Sequence, residues 1–168
     1  MKKLYKYLLI IFGIIVLDQI AKSVLLYLIT GSVPVAGNAW SVVGYPYIMA
    51  HVTNWFNIVF TWNPGASFSL LRGVGEIYPW LITVATGALI AFLFWFLAKR
   101  ATQNEKLPLA FIIGGALGNL IDRIRFGAVV DFIDWHVGGW HWPAFNIADM
   151  FIVIGVGLYI ISLIFRKK

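Results

Sequence analysis

Four stretches of this chain are long and apolar enough to cross a lipid bilayer, and no other property constrains its fold as strongly. At 1.5 Å of rise per residue, a helix needs about 20 apolar residues to span the hydrocarbon core. Segments 8–29, 78–98, 107–124 and 147–165 meet or approach that length. With 61% hydrophobic and only 12% charged residues, the chain lacks the polar surface of a soluble domain. The sequence therefore predicts an all-α membrane protein with four transmembrane helices, residues 1–168 forming a single integral membrane domain. Segments 30–77 and 125–146 are its two larger loops. The absence of cysteine removes disulfides, thiolate metal sites and cysteine nucleophiles together.

The net charge of +6 reads as a topology signal. Lys2, Lys3 and Lys6 precede the first span, Lys99, Arg100 and Lys106 fill the short link between the second and third, and Arg166, Lys167 and Lys168 close the chain. Four spans put these three clusters on one side. By the positive-inside rule both termini are cytoplasmic and the two larger loops face outward, so nucleic acid is not the expected partner. A lysine-rich start before an apolar run also resembles a secretory signal peptide. The run is too long for that, and Asp18 and Lys22 interrupt it, so a retained first span is expected.

The outward loops have structure of their own. Residues 57–62 favour a strand and end at Asn63-Pro64-Gly65, where Pro then Gly suits the centre of a type II turn. A small extracytoplasmic β-sheet is expected there, followed by a short interfacial helix over 70–78. Residues 31–50 read as an irregular loop. Trp40, Trp55, Trp62, Trp135, Trp140 and Trp142 all fall in these loops, which places them at headgroup level against membrane lipid.

The chain has seven acids, and four of them, Asp122, Asp131, Asp134 and Asp149, lie between Gly114 and Asp149. Carboxylates at the ends of membrane spans are costly and call for a reason. Asp18 and Lys22 share a helix face at i, i+4 and can pair. Asn119, Asp122 and Arg123 share another, and Asp122 and Arg123, as helix neighbours, each need a partner elsewhere; a helix-locking polar network suits Asp122. Gly114, Gly115, Ala116 and Gly118 make a small-residue stripe for close helix packing. Asp131 stands in the extended apolar run Val129-Val130-Asp131-Phe132, where desolvation disfavours its ionised form. Asp149, three residues beyond Asn146, fits equally the acid of a helix capping box. Topology brings Asp131 and Asp149 to the same face of the membrane. Two carboxyls that close tend to share one proton, so that one activates water while the other polarises a carbonyl. That is aspartic peptidase chemistry, and it requires neither metal nor cofactor. Asp134 has no role that the sequence supports.

These residues also carry a resemblance. Asp18-Gln19-x-x-Lys22, Asn63-x-Gly65-Ala66, Gly114-Gly115-Ala116-x-Gly118-Asn119-x-x-Asp122-Arg123, Val129-Val130-Asp131-Phe132 and Phe145-Asn146-x-Ala148-Asp149 resemble, in order, the motifs of the lipoprotein signal peptidases, or signal peptidase II family. The resemblance implies an aspartic endopeptidase of the bacterial inner membrane, its active site near the outer face. Its substrate would be a diacylglyceryl-modified prolipoprotein, cut just before the lipidated cysteine. It implies Asp131 and Asp149 as the catalytic pair, Asn63, Gly65, Asn119, Arg123 and Asn146 as site-lining residues, and Asp18, Lys22 and Asp122 as polar support. A monomer is expected. Pro64 and Ser67 depart from the family's usual small polar residue and alanine, and the 31–50 segment is longer than usual.

Three other readings compete. A serine protease could use Ser67 with His51, His136 or His141, but no Gly-x-Ser-x-Gly elbow surrounds that serine. A metalloprotease could use Asp134, His136 and His141, but the five-residue histidine spacing is not His-Glu-x-x-His, and Gly138-Gly139 intervene. A proton-coupled transporter could use Asp18 and Asp122. Four spans without an inverted repeat argue against it.

Overall fold

Continuous apolar sequence becomes continuous helix. The structure, a computed structural model, describes residues 2–31, 47–65 and 77–165. Its helices are α1 (Lys2–Thr30), α2 (Ile77–Lys99), α3 (Lys106–Phe126) and α4 (Ile147–Ile164), and its strands are β1 (Tyr47–Thr53), β2 (Phe56–Asn63), β3 (Val129–Val137) and β4 (Trp140–His141). All four helices are long and apolar enough to cross a membrane. The third differs from the rest. About half of it is buried within the protein, against about a quarter or less of each of the others. A helix packed on several sides can carry Asn119, Asp122 and Arg123 where a lipid-facing one could not. The interfacial helix expected over 70–78 lies outside the described residues, apart from the two that begin α2. Residues 47–50, expected to belong to an irregular loop, instead open β1, paired with β2; Ser67, residues 32–46 and the basic C-terminal cluster lie outside the described residues.

Two compact units divide the chain. The first comprises Met1–Ala21, Val84–Leu120 and Ile147–Lys168. Its core is Tyr7, Ile11, Ile90, Leu97, Leu109, Ala110 and Ile113, drawn from three helices. Gln103 Nε2 donates to the Tyr7 hydroxyl at 2.8 Å, tying the polar link before α3 to α1. Phe12, Val84, Phe92 and Val153 are each more than half exposed. In water such apolar area would cost about 25 cal/mol per Å², so these are the surfaces lipid covers.

The second unit comprises Lys22–Thr83 and Ile121–Asn146 and contains an antiparallel sheet of order β1-β2-β3-β4. Phe60 and Trp62 on β2 and Val130 on β3 point to one side, where they meet Leu25 and Leu26 of α1 and Phe126 of α3. Phe60 and Trp62 contact edge to face at 5.2 Å. Alternation sends Thr61, Asn63, Val129 and Asp131 to the other side. Between Ile58 and Thr61 the β2–β3 register shifts, an irregularity that re-aims the strand just before the turn at Asn63.

Candidate active site

Asp131 is 1% exposed, and each of its oxygens accepts an amide donor. Asn63 Nδ2 lies 2.9 Å from Oδ2, and Asn146 Nδ2 lies 2.6 Å from Oδ1. The first bond follows from the register. Asp131 pairs with Thr61 and Val129 with Asn63, so Asn63 and Asp131 are diagonal neighbours on one face of the sheet. Asn146 is fully buried and also donates to the Val130 carbonyl at 3.3 Å. The Asn63 side chain works from both ends, because its Oδ1 accepts the Gly65 N–H at 2.9 Å. Gly65 holds a φ of 124°, a backbone conformation closed to other residues, so the chain can bend there. The rest of the expected turn lies beyond the described residues.

Support for this aspartate comes from two buried charges. Lys22 Nζ lies 2.8 Å from Asp122 Oδ2, and that same oxygen accepts the Val130 N–H at 3.2 Å. Asp122 thus ties α3 to the residue that precedes Asp131. Arg123 stands half-buried in the last turn of α3.

The remaining candidates belong to the other unit. Asp149 is half-buried in the first turn of α4, and its Oδ1 accepts Asn119 Nδ2 at 2.8 Å. Asn146 directly precedes α4, so Asp149 occupies the helix-start position the sequence suggested. The Asn146 amide nitrogen is nevertheless turned toward β3. The buried start of α4 is met by another carboxylate: Asp18 Oδ1 accepts the Ala148 N–H at 3.0 Å. A helix start leaves such donors unpaired and carries partial positive charge, so a buried carboxylate suits it. The small-residue stripe makes room for this. A Cβ on Gly118 would lie 2.6 Å from Asp18 Oδ2, and one on Gly115 would collide with the Ala148 carbonyl. Gln19 Nε2 donates to the Gly118 carbonyl at 3.2 Å.

The sequence candidates therefore fall into two linked sets. One joins Asp131, Asn63, Gly65, Asn146, Asp122 and Lys22. The other joins Asp149, Asn119 and Asp18. For Asp18 and Lys22, expected to pair with each other, the structure adds partners on α4 and α3.

One cluster was not anticipated. Asp134, left without a role by the sequence, is 6% exposed and accepts Asn57 Nδ2 at 2.7 Å. His141 Nδ1 lies 2.9 and 3.0 Å from its two oxygens, and the His141 ring stacks on His136 at 4.9 Å. Burial would raise the Asp134 carboxyl. The hydrogen bonds from His141 and Asn57, with the His141 and His136 charges, outweigh it and hold the group below its ordinary value of 3.8. His51 Nδ1 in turn lies 3.0 Å from Asn57 Oδ1. Among the described residues, no group of three or more His, Asp or Glu is placed to hold a metal ion.

The chain is similar to known proteins over most of its length. Residues 10–165 match the family described as Signal peptidase (SPase) II. The chain is 47% identical over 118 residues to the lipoprotein signal peptidase of Ralstonia nicotianae, covering 70% of this chain and 68% of that one. It is 38% identical over 165 residues to that of Polynucleobacter necessarius, covering 94% and 88%. A solved bacterial membrane enzyme superimposes with a TM-score of 0.69 at 30% identity, covering 97% of this chain and 92% of its own.

Proposed function

Because this chain belongs to the signal peptidase II family, we propose that Asp131 and Asp149 are its catalytic dyad, removing signal peptides from diacylglyceryl-modified prolipoproteins. Membership makes it a lipoprotein signal peptidase, a protease, and with its four spanning-length helices a multi-pass protein of a bacterial inner membrane. The finer reading is as follows.

The dyad shares one proton. The ionised carboxylate takes a proton from water as the water oxygen attacks the carbonyl carbon before the lipidated cysteine. The protonated carboxyl donates to the carbonyl oxygen. When the C–N bond breaks, a proton passes to the leaving cysteine nitrogen, and the signal peptide departs with a new carboxyl group. Asn63, Asn146 and Asn119 hold the carboxylates in fixed rotation, which keeps the water and both acids aligned. Gly65 and Arg123 line the path of the substrate backbone. Lys22, Asp122 and Asp18 brace the strand and helix that carry the acids.

What supports this most is Asn146. It donates to Asp131 at 2.6 Å and stands three residues ahead of Asp149 in the chain. One short stretch thus holds the first acid and supplies the second. The reading extends to a monomer acting as one membrane domain without nucleic acid, with both termini cytoplasmic and the site at the outer face in contact with lipid. The flanking clusters of Lys and Arg support that orientation.

The test is a gel-shift cleavage assay with lipidated and unlipidated prolipoprotein. Asp131→Asn and Asp149→Asn should each abolish cleavage while the protein stays folded. The wild type should cut only the lipidated substrate. Retained activity in either variant would overturn the dyad.

A further inference from the structure

The proposed cleavage reaction leaves one built feature of the sheet unused. Trp55, Trp135, His136, Val137, Trp140 and Trp142 line a hollow of about 180 Å³ near the β3–β4 turn. All four indoles are more than half exposed, and so is Val137. Trp140 and Trp142 meet edge to face at 5.8 Å. In water this would be a continuous uncovered apolar patch, which marks a contact surface. Indole prefers the headgroup layer of a bilayer, where its ring is sheltered and its N–H stays wet. The chain's own spanning-length helices bring a bilayer within reach.

Charge and size narrow the occupant. Residues 126–146 contain no Lys or Arg, and they contain Asp131 and Asp134, so the segment carries acidic side chains and no permanently positive one. Indole faces attract ammonium groups, and aromatic enclosures of this kind recognise them. His136 keeps its Nε2 away from solvent with no hydrogen-bond partner, a buried nitrogen that calls for a donor. An ammonium N–H supplies one to the acceptor tautomer. Pockets for drug-sized ligands run to about 300–1,000 Å³, so a smaller hollow suits a headgroup better than a larger molecule.

We propose that this hollow holds the ammonium headgroup of a membrane phospholipid and seats the β3–β4 turn in the headgroup layer.

The chain has no cysteine, so Gly139→Cys carries a single spin label on the full-length protein. A side chain at Gly139 meets nothing within 4 Å. Collision of the label with oxygen and with a water-soluble nickel chelate is measured in two kinds of nanodisc. One contains phosphatidylethanolamine with phosphatidylglycerol, and the other phosphatidylglycerol alone. In the ethanolamine discs the label sits at headgroup depth, with nickel access several-fold below that of a water-exposed site. It returns to water in phosphatidylglycerol alone, and also when Trp140→Ala and Trp142→Ala are combined. That variant should still cleave lipidated prolipoprotein in detergent, which shows it folded. The label depth does not depend on the dyad, so retained cleavage in Asp131→Asn or Asp149→Asn would overturn that reading and leave this one standing. A label in water throughout, or equally deep in both lipids, overturns the proposal. Shielding that appears only when prolipoprotein is added assigns the hollow to peptide and overturns it as well.

Discussion

Lys22 and Asp122 form an ion pair 2.8 Å long, and neither side chain is more than 2% exposed. A buried pair of this kind gains little over an apolar pair of the same shape, because both ions lose their water. Its worth lies in where it points. The paired carboxylate also holds the Val130 N–H, fixing the strand one residue before Asp131.

Lys22→Met should therefore be severely destabilising, by about 3–5 kcal/mol, because it leaves a buried carboxylate without its lysine. Adding Asp122→Leu should recover much of that stability while cleavage stays impaired, since that change takes away the acceptor of the Val130 N–H. Denaturant unfolding in detergent micelles, read beside the cleavage assay, separates the two effects. A double variant as unstable as the single one would contradict the account.

Asn146→Ala removes the 2.6 Å donor at Asp131 Oδ1 and loosens the carboxylate, which keeps its Asn63 bond at Oδ2. Misplacement of a reacting group by about 1 Å can cost on the order of 100-fold in rate. The loss should appear in kcat, with KM for the lipidated substrate nearly unchanged. Steady-state kinetics on folded protein checks this, and a rise in KM alone would point to substrate binding instead.

Gly118→Ala pushes a methyl group against Asp18 Oδ2, on the carboxylate whose Oδ1 holds the start of α4 through the Ala148 N–H. Overpacking of this sort costs about 1–3 kcal/mol. Gly13→Ala, also within a helix but with nothing within 4 Å of the new Cβ, should be neutral or mildly stabilising. Thermal unfolding of the two variants side by side is the measurement. Equal effects would remove the packing argument.

How far all this could be read beforehand depends on sequence distance. The four helices announce themselves through unbroken apolar runs, and β2 through its β-favouring residues before Asn63. The stripe of small residues correctly signalled close packing. What stayed hidden were partners far apart in the chain. Asn63 and Asp131 are 68 residues apart, and Asn57 and Asp134 are 77 apart. Antiparallel register sets both contacts, and no local pattern encodes the register of strands so widely separated. Asp134 had no visible role because its partners come from that pairing and from the hairpin that returns His141. Only the polar side chains of β2 and β3, taken as a set, hinted that the sheet had a hydrogen-bonded face.

Asp134 gives stability a dependence on pH. Its folded carboxyl is held below 3.8, so it binds fewer protons than the unfolded chain near that pH. Its contribution is full above the ordinary carboxylate range and fades as the pH falls through the lowered folded value. Asp134→Asn should thus be less stable than wild type at neutral pH, with the gap closing toward strong acid. Unfolding measured across that range checks the sign. A gap that widens below pH 4 would contradict it.

Asn63 joins the bend at Gly65 to Asp131 with its nitrogen toward the carboxylate and its oxygen toward the backbone. An amide has a head and a tail. Turned end for end, it would set oxygen against oxygen at Asp131 and nitrogen against nitrogen at Gly65. Aspartate has nearly the same outline but two tails, so at position 63 it would be tolerated less well than its shape suggests. The bend and the carboxylate are in effect two arms of one lever. Displacing the bend would therefore move the amide that holds the acid.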